Sequence, residues 1–266
     1  MLLVRGYLAD RAAPEPGARK RLKRIVAQAG VTLAALLAVA PVPGVRADAR
    51  PDELPSVTTA SRLADSTGAD SSTSDVLIAL EAESADSGLR PEVLQLALRA
   101  HDRALAAHQT ASPIMTVIDY SLPSRERRLW VLDLEHGDVL AHELVAHGKA
   151  TGGDLAQAFS NAAGSYQSSL GTFVTGATYQ GKHGLSLRLR GLDASLNSNA
   201  EARGIVVHAA DYVNDGIVAQ LGRLGRSEGC PALNPAVASR IIGLIKGGTV
   251  VFSYFPAPAL TATLPA

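Results

Sequence analysis

The sequence of 266 residues has only one cysteine, 4% aromatic residues and no net charge. A single cysteine cannot form a disulfide within its own chain, and it cannot supply a zinc or iron–sulfur site that needs several thiolates. Balanced charge disfavours a nucleic-acid-binding protein, because such proteins carry excess basic groups that neutralise phosphates. No apolar run reaches the roughly 18 residues of a membrane span. The 47% of hydrophobic residues is ample for one large or two small packed domains.

The net charge of zero is the sum of a basic N-terminal region and an acidic remainder. Residues 1–47 hold eight basic and two acidic groups, so the remaining 17 basic and 23 acidic groups give a net charge of −6. The basic cluster Arg19–Arg24 directly precedes the apolar stretch Ile25–Ala40, and small or β-branched residues follow up to Ala47. This order is typical of a secretory signal peptide, so we predict cleavage after Ala47 and export to the periplasm or cell envelope. An uncleaved signal anchor is the alternative; after cleavage no stable membrane span is expected.

Three segments are predicted after the signal peptide. Residues 48–75 are rich in Ser, Thr, Asp, Ala and Pro, so they bury too little apolar surface to fold and are predicted to form a flexible linker. Residues 76–112 form a helical lead-in, with a short amphipathic helix over Ser74–Glu83 and a longer helix over 91–108 that has proline in its first turn. Residues 113–258 form the main domain.

The main domain is predicted to be mainly β, with short helices. Alternating or β-branched patterns predict strands over 129–134, 139–145, 186–190, 204–207 and 249–254. The first two form a hairpin, and the fourth ends at His208. Asn234 caps a helix that runs to Ile245. The Gly-, Ser- and Asn-rich stretch 146–182 is predicted to form long loops around a site.

Cys230 is the strongest candidate for chemistry. A lone cysteine is more often a buried apolar residue than a reactive one. Here, however, its neighbours are glycine, a charged residue and proline, and an exported protein gains little from an oxidisable thiol that is not used. A nucleophilic thiol needs a base, and His208 at a strand end is the natural partner. The histidine precedes the cysteine, which is the reverse of the papain-like order.

Two stretches closely resemble the catalytic signature of a known family. Gly204–Val213 contains His208, and Gly225–Pro231 contains Cys230 in a Gly-Arg-Ser-x-Gly-Cys-Pro motif. This arrangement resembles the murein L,D-transpeptidase catalytic-domain family, in which a histidine on a strand precedes a Ser-x-Gly-Cys segment. The resemblance covers about residues 90–255. Further matching blocks are Thr116–Ser121, Val145–Gly148, Phe159–Asn161, Ser168–Gly171 and Thr178–Gly184.

The resemblance implies a mixed β-sandwich or barrel and peptide-bond exchange on peptidoglycan stem peptides. Cys230 would attack the carbonyl after the third-position diamino acid, form a thioester and release D-alanine. His208 would be the general base, and the amides of Gly229 and Cys230 would form the oxyanion hole. An amine acceptor would give a cross-link, whereas water would make the site an L,D-carboxypeptidase. A non-catalytic cell-wall scaffold that keeps the fold is a further alternative.

Three more residues are implied to line the cleft, and two others depart from the family pattern. His183, Arg226 and Ser227 are expected to bind substrate; Arg226 has the planar fork that suits a carboxylate, and Ser227 would more simply be a hydrogen-bond partner. The family commonly has glycine where this chain has Ala209, and histidine or tryptophan where it has Glu228. A carboxylate at Glu228 would raise the pKa of the thiol, unless it points outward to solvent or an amine acceptor.

No metal or other cofactor is predicted. The segment His142-Glu143-Leu-Val-Ala-His147 is similar to a zinc-protease motif, but three residues separate Glu143 from His147 where that motif has two. The two histidines would therefore not share a helix face, and the segment alternates like a strand.

Overall fold

Eight strands of alternating or β-branched sequence close into one barrel, as the computed structural model of the chain shows. It describes residues 67–264, so the predicted signal peptide 1–47 and the linker up to residue 66 lie outside the described residues. The strands are β1 Ile114–Asp119, β2 Arg127–Asp133, β3 Asp138–Ala146, β4 Gly171–Gly181, β5 Gly184–Gly191, β6 Val206–Ala209, β7 Ala232–Leu233 and β8 Val250–Tyr254. Their order around the barrel is β1-β2-β3-β7-β6-β5-β4-β8. The predicted mainly β class is confirmed, and the sheet is a barrel.

The barrel is mixed in strand direction. β1 runs parallel to β8, and β6 runs parallel to β7, while the other neighbouring pairs are antiparallel. Parallel neighbours need a crossover connection, and residues 210–231 supply one between β6 and β7. Parallel β6 and β7 matter most here, because they bring the segments around His208 and Cys230 side by side.

Five helices accompany the barrel, namely α1 Thr67–Asp86, α2 Pro91–Ala106, α3 Asp215–Leu221, α4 Pro235–Ile245 and α5 Pro258–Thr263. The predicted helices over 91–108 and 235–245 are confirmed as α2 and α4, each with proline in its first turn. The side-chain oxygen of Asn234 accepts a hydrogen bond from the amide of Ala236, as its capping role requires. Among the described residues, no helix is both long and apolar enough to cross a membrane.

Helix α1 is longer than predicted. It begins at Thr67, inside the predicted linker 48–75, and continues past the predicted end at Glu83. Leu80 is fully buried in the cluster that joins α1 and α2 to the barrel. Its burial stabilises a helix that the polar composition of its first turns disfavours, because packing of one face stabilises a helix more than propensity does. The predicted boundary at residue 113 stays a prediction.

Two apolar clusters explain why several strands read as continuous hydrophobic runs. In β2, Leu129 and Val131 face the cluster that includes α4, whereas Trp130 and Leu132 face the cluster that includes α1, α2 and α5. A strand that is covered on both faces needs apolar residues at successive positions. The helical lead-in thus packs directly on the barrel.

Two predictions about strands need correction. The strand predicted over 204–207 is β6, which begins at Val206 and includes His208 rather than ending before it. β4 lies within the stretch 146–182 that was predicted to be loops, because its three glycines interrupt the strand pattern. β4 is stabilised by pairing with β5 on one side and β8 on the other, which no local pattern reveals. The predicted hairpin is confirmed as β2 and β3.

Candidate active site

One open cavity of about 540 Å³ lies where the β4–β5 turn, the start of β6 and the segment before β7 converge. Its lining includes Lys182, His183, Arg203, His208, Glu228 and Cys230. The structure therefore brings the predicted nucleophile and the predicted base to the wall of the same cavity. The β4–β5 turn also places His183 there, as the sequence predicts.

The parallel pairing of β6 with β7 positions Cys230. His208 lies opposite Ala232, so Cys230, two residues earlier, lies beside Val206. The amide of Val206 donates to Cys230 Sγ at 3.5 Å, and the thiol donates to the carbonyl oxygen of Gly204 at 3.7 Å. The thiol is half-buried and is held by backbone groups on both sides.

The loop before the cysteine is held by its own serine. Ser227 Oγ donates to the carbonyl oxygen of Cys230 at 2.6 Å and accepts from the amide of Gly229 at 3.1 Å. Gly229 has a φ of +127°, and a Cβ there would lie 2.8 Å from the carbonyl oxygen of Gln167. Only glycine fits this turn without strain. Ser227 therefore supports the loop, which favours the hydrogen-bond role over substrate contact.

The two predicted oxyanion-hole amides differ in their availability. The Gly229 amide is already bonded to Ser227 Oγ. Within residues 67–264 the amide of Cys230 has no hydrogen-bond partner, so it is free to donate to a ligand in the cavity.

The His208 ring is oriented for base chemistry. Its Nδ1–H donates to the carbonyl oxygen of Ala209 at 2.8 Å, which leaves the lone pair on Nε2. The side chain is almost fully buried, and burial lowers the pKa of His208, with a smaller contribution from the positive charge that His183 can carry. His208 is thus neutral at pH 7. The ring stacks on that of His183, with centroids 4.5 Å apart and planes 28° apart.

The resting thiol and the imidazole are not joined by a hydrogen bond in the part of the chain that the structure describes. Burial raises the pKa of the Cys230 thiol, and Glu228 raises it further, while the Val206 amide, Arg203 and Lys182 oppose this shift. A neutral thiol beside a neutral imidazole is therefore the resting state at pH 7.

Glu228 combines the two alternatives predicted for it. Its side chain is 67% exposed and points outward, where its carboxylate pairs with Lys149 Nζ at 2.9 Å. Lys149 lowers the pKa of Glu228, so this carboxylate is ionised. Glu228 still raises the pKa of the Cys230 thiol, as predicted, but burial of the thiol is the larger cause. The ammonium of Lys149 also lies 3.8 Å from the ring centroid of Tyr166.

Arg226 lies at the cavity with its guanidinium already engaged. Its Nη1 donates to the carbonyl oxygens of Gly152 at 3.0 Å and Lys149 at 3.4 Å. These bonds connect residues 225–230, the loop that ends at Cys230, to the segment after β3. The predicted contact with a substrate carboxylate would have to use the remaining donors of the guanidinium.

The part of the chain that matches a known family includes every residue that lines this cavity. Residues 85–254 match the L,D-transpeptidase catalytic domain. The chain belongs to the L,D-transpeptidase catalytic-domain family. The resemblance predicted from about residue 90 to residue 255 is therefore confirmed, and the match also includes α2.

Solved structures of L,D-transpeptidases are similar to this chain at low identity. The enzyme from Mycobacterium smegmatis is 16% identical, with 54% of this chain and 59% of that chain covered and a TM-score of 0.35. The enzyme from Xylanimonas cellulosilytica is 17% identical, with 57% of this chain and 68% of that chain covered and a TM-score of 0.33. The enzyme from Stackebrandtia nassauensis is 16% identical, with 70% of this chain and 80% of that chain covered and a TM-score of 0.33. No curated protein matches the chain.

The histidines of the zinc-like segment lie in two separate environments of this L,D-transpeptidase domain. His142 is in β3, where its Nε2–H donates to the carbonyl oxygen of Arg127 and its ring stacks on Trp130. His147 follows β3 and is buried; it accepts from Arg128 Nη2 at 2.8 Å and donates to the carbonyl oxygen of Gly153 at 3.1 Å. The predicted strand is thus confirmed, and the helix that a zinc-protease motif needs is replaced by a strand.

Arg203 is a charged cavity residue that the sequence patterns do not mark as functional. It precedes Gly204 and the predicted strand, in a stretch whose other features drew attention to the histidine. A charged residue immediately before a short apolar strand was the available signal. The bonds that fix its position come from the segment 160–169, which is distant in sequence.

Proposed function

We propose that this domain transfers acyl groups on peptidoglycan stem peptides through a thioester on Cys230. One observation carries the proposal: a half-buried sulfur and a neutral, oriented imidazole lie on the wall of one open cavity in an L,D-transpeptidase catalytic domain. The cavity is large enough for several residues of a peptide, because ligand sites typically enclose about 300–1,000 Å³.

In the proposed first half-reaction, Sγ of Cys230 attacks the carbonyl carbon of the third-position diamino acid, which is bonded to the nitrogen of D-alanine. Nε2 of His208 accepts the thiol proton and then gives it to the nitrogen of the departing D-alanine. The thioester forms as the peptide bond breaks. In the second half-reaction, an amine of a neighbouring stem attacks the thioester, His208 removes its proton, and Cys230 is regenerated with a cross-link formed.

We propose the amide of Cys230 as the first donor to the oxyanion, because it has no competing partner among residues 67–264. The amide of Gly229 would become the second donor once it releases Ser227 Oγ. A donor aimed at developing charge lowers the barrier most when it is fixed before reaction. The bond between Ser227 and the carbonyl oxygen of Cys230 fixes this part of the loop.

We also propose export, with residues 1–47 as the signal peptide and the periplasm or cell envelope as the location. The support is the order of charge and apolar residues in that segment and the family's action on the cell wall. Mass spectrometry of protein recovered from the envelope is expected to give an N-terminus at Asp48. A chain that retains Met1 through Ala47 would instead show the signal-anchor alternative.

Product analysis with tetrapeptide-stem muropeptides tests the proposed reaction. Wild-type protein is expected to release D-alanine and form stem dimers, and the matched variant Cys230→Ala is expected to form neither. Tripeptide product without dimer would show that water is the acceptor and that the enzyme is an L,D-carboxypeptidase. Unchanged muropeptides with folded wild-type protein would contradict the proposal.

One observation favours a second candidate, a non-catalytic cell-wall scaffold. The thiol donates to the carbonyl oxygen of Gly204 rather than to His208, and its pKa is raised. A scaffold would bind muropeptides equally well with and without the cysteine. Comparison of binding and turnover for wild type and Cys230→Ala separates the two functions.

A further inference from the structure

Arg203 is a half-buried arginine with no acidic partner. Its Nη1 donates to the carbonyl oxygen of Ser160 and to Ser169 Oγ, each at 2.6 Å. Its Nη2 donates to Ser165 Oγ at 3.1 Å and to the carbonyl oxygen of Gln167 at 2.6 Å. All four partners are neutral oxygens, and among the described residues no carboxylate lies within 4 Å of the guanidinium. The positive charge is thus fixed in place but not neutralised by a neighbour.

The guanidinium of Arg203 lies beside residues 225–230, which we call the nucleophile loop because they end at Cys230. Arg203 lines the same cavity as Cys230 and directly precedes Gly204, whose carbonyl oxygen accepts from the thiol. A Cβ on Gly229 would lie 3.3 Å from Arg203 Nη2. The segment 160–169 and the loop that ends at Cys230 therefore meet at this one cation. Because its four terminal donor contacts go to other residues, its effect on the sulfur is electrostatic.

The other charged and titratable groups around the thiol do not replace this cation. Lys182 lies on the turn between β4 and β5 and lowers the pKa of the thiol less than Arg203 does. Glu228 acts in the opposite direction and is paired with Lys149. His208 is neutral at pH 7 because its pKa is lowered.

Two phenols, those of Tyr120 and Tyr212, also interact electrostatically with the thiol. Burial raises the pKa of both Tyr120 and Tyr212 to about 12, so both are uncharged near pH 7. His183 stacks on His208, and Tyr179 and Arg226 are the other titratable side chains that line the cavity. Arg203 is therefore the cation with the largest electrostatic effect on the thiol.

We infer that Arg203 is a positioning residue whose fixed positive charge stabilises the thiolate of Cys230 and whose four bonds hold the segment 160–169 against the nucleophile loop. The inference rests on the proposed function in so far as Cys230 is the nucleophile. It accounts for what balances the negative charge on Sγ once the thiol proton has passed to His208. It also explains why the guanidinium is bound by neutral oxygens, since a carboxylate partner would cancel the charge.

The test is the pH dependence of Cys230 alkylation by iodoacetamide, measured on the full chain by intact mass. In Arg203→Gln, which keeps hydrogen-bond donors but loses the charge, the midpoint is expected to rise by about one pKa unit, so alkylation near pH 7 slows about tenfold. In Arg203→Lys, which keeps the charge, the midpoint is expected to stay near that of the wild type. Arg190→Gln is the matched control: it removes an exposed arginine that lies outside this cavity and donates to Gln109 Oε1, and the midpoint is expected to be unchanged.

Two results would overturn the inference. A wild-type midpoint in folded Arg203→Gln would show that the charge does not act on the thiol. A midpoint in Arg203→Lys as high as in Arg203→Gln would assign the effect to the lost bonds and not to charge. If Arg203→Gln does not fold, Arg203→Lys is compared with the wild type, and a raised midpoint would overturn the inference. The assay uses no stem peptide, so absent muropeptide turnover with a shifted midpoint would reject the proposed function and leave the role of Arg203 standing.

Discussion

Acidification is predicted to destabilise the domain through one buried histidine. His147 is 1% exposed and accepts a hydrogen bond from the guanidinium of Arg128, which is itself fully buried. Burial, helped by the charge of Arg128, lowers the pKa of His147 from 6.5 to about 4. Protonation would remove the acceptor that Arg128 uses and place two cations in contact. Neutral His147 is therefore required for the native packing.

The sign and size of the effect follow from proton linkage. In the unfolded chain His147 takes up its proton near pH 6.5, whereas in the folded protein it does so only near pH 4. The unfolded state binds more protons between these values, so stability is complete above about pH 6.5 and falls as the pH drops to about 4. Each pKa unit is worth about 1.4 kcal/mol, so the loss is about 3 kcal/mol.

Urea unfolding of wild type and His147→Gln at pH 7, 6, 5 and 4 measures this loss. Glutamine keeps a donor and an acceptor but cannot be protonated in this range, so the variant is expected to lose about 3 kcal/mol less than wild type between pH 7 and pH 4. Other histidines with lowered pKa values, such as His208, act equally in both proteins and cancel in the difference. Parallel curves for the two proteins would refute the reasoning.

Three other changes have defined outcomes. Gly148→Ala places a Cβ 2.9 Å from the Cα of Gly229, so thermal unfolding is expected to show a loss of about 2 kcal/mol; an unchanged Tm would contradict this contact. Asp193→Asn removes the charge that Arg103 binds at 2.6 Å in a buried site, and about 2 kcal/mol is expected to be lost in urea unfolding, whereas Arg103→Lys should cost less. His183→Ala removes the stacked ring and is expected to raise the pKa of His208 in an NMR titration; a lower value would contradict the account.

Much of the fold follows from local sequence patterns. The helix that begins at Pro91 and the hairpin around residues 135–138 have the spacing and turn residues of their class, and both are confirmed. Closure of the barrel does not follow from such patterns. β4 is interrupted by glycines and depends on two partner strands, one of which, β8, pairs with it across 82 residues at Gly171 and Ser253. Helix α1 likewise depends on a contact distant in sequence, the burial of Leu80 in the cluster shared with the barrel.

The candidate site divides in the same way. The family signature places Cys230 and His208 together, and the structure brings both to one cavity. The bond from the Gly229 amide to Ser227 Oγ could not be predicted, because it depends on loop dihedrals and not on residue type. The fixed cation of Arg203 was missed for a related reason: its partners lie in an irregular segment that only the folded chain brings near.

The central claim is that the sulfur of Cys230 is an accessible nucleophile served by His208. Intact mass spectrometry after incubation with a carbapenem tests it most directly, because the strained β-lactam carbonyl is an acyl donor to an active cysteine. Wild-type protein is expected to gain the mass of one inhibitor molecule, mapped to Cys230, and His208→Ala is expected to gain it far more slowly. Folded wild-type protein whose mass does not change would contradict the account.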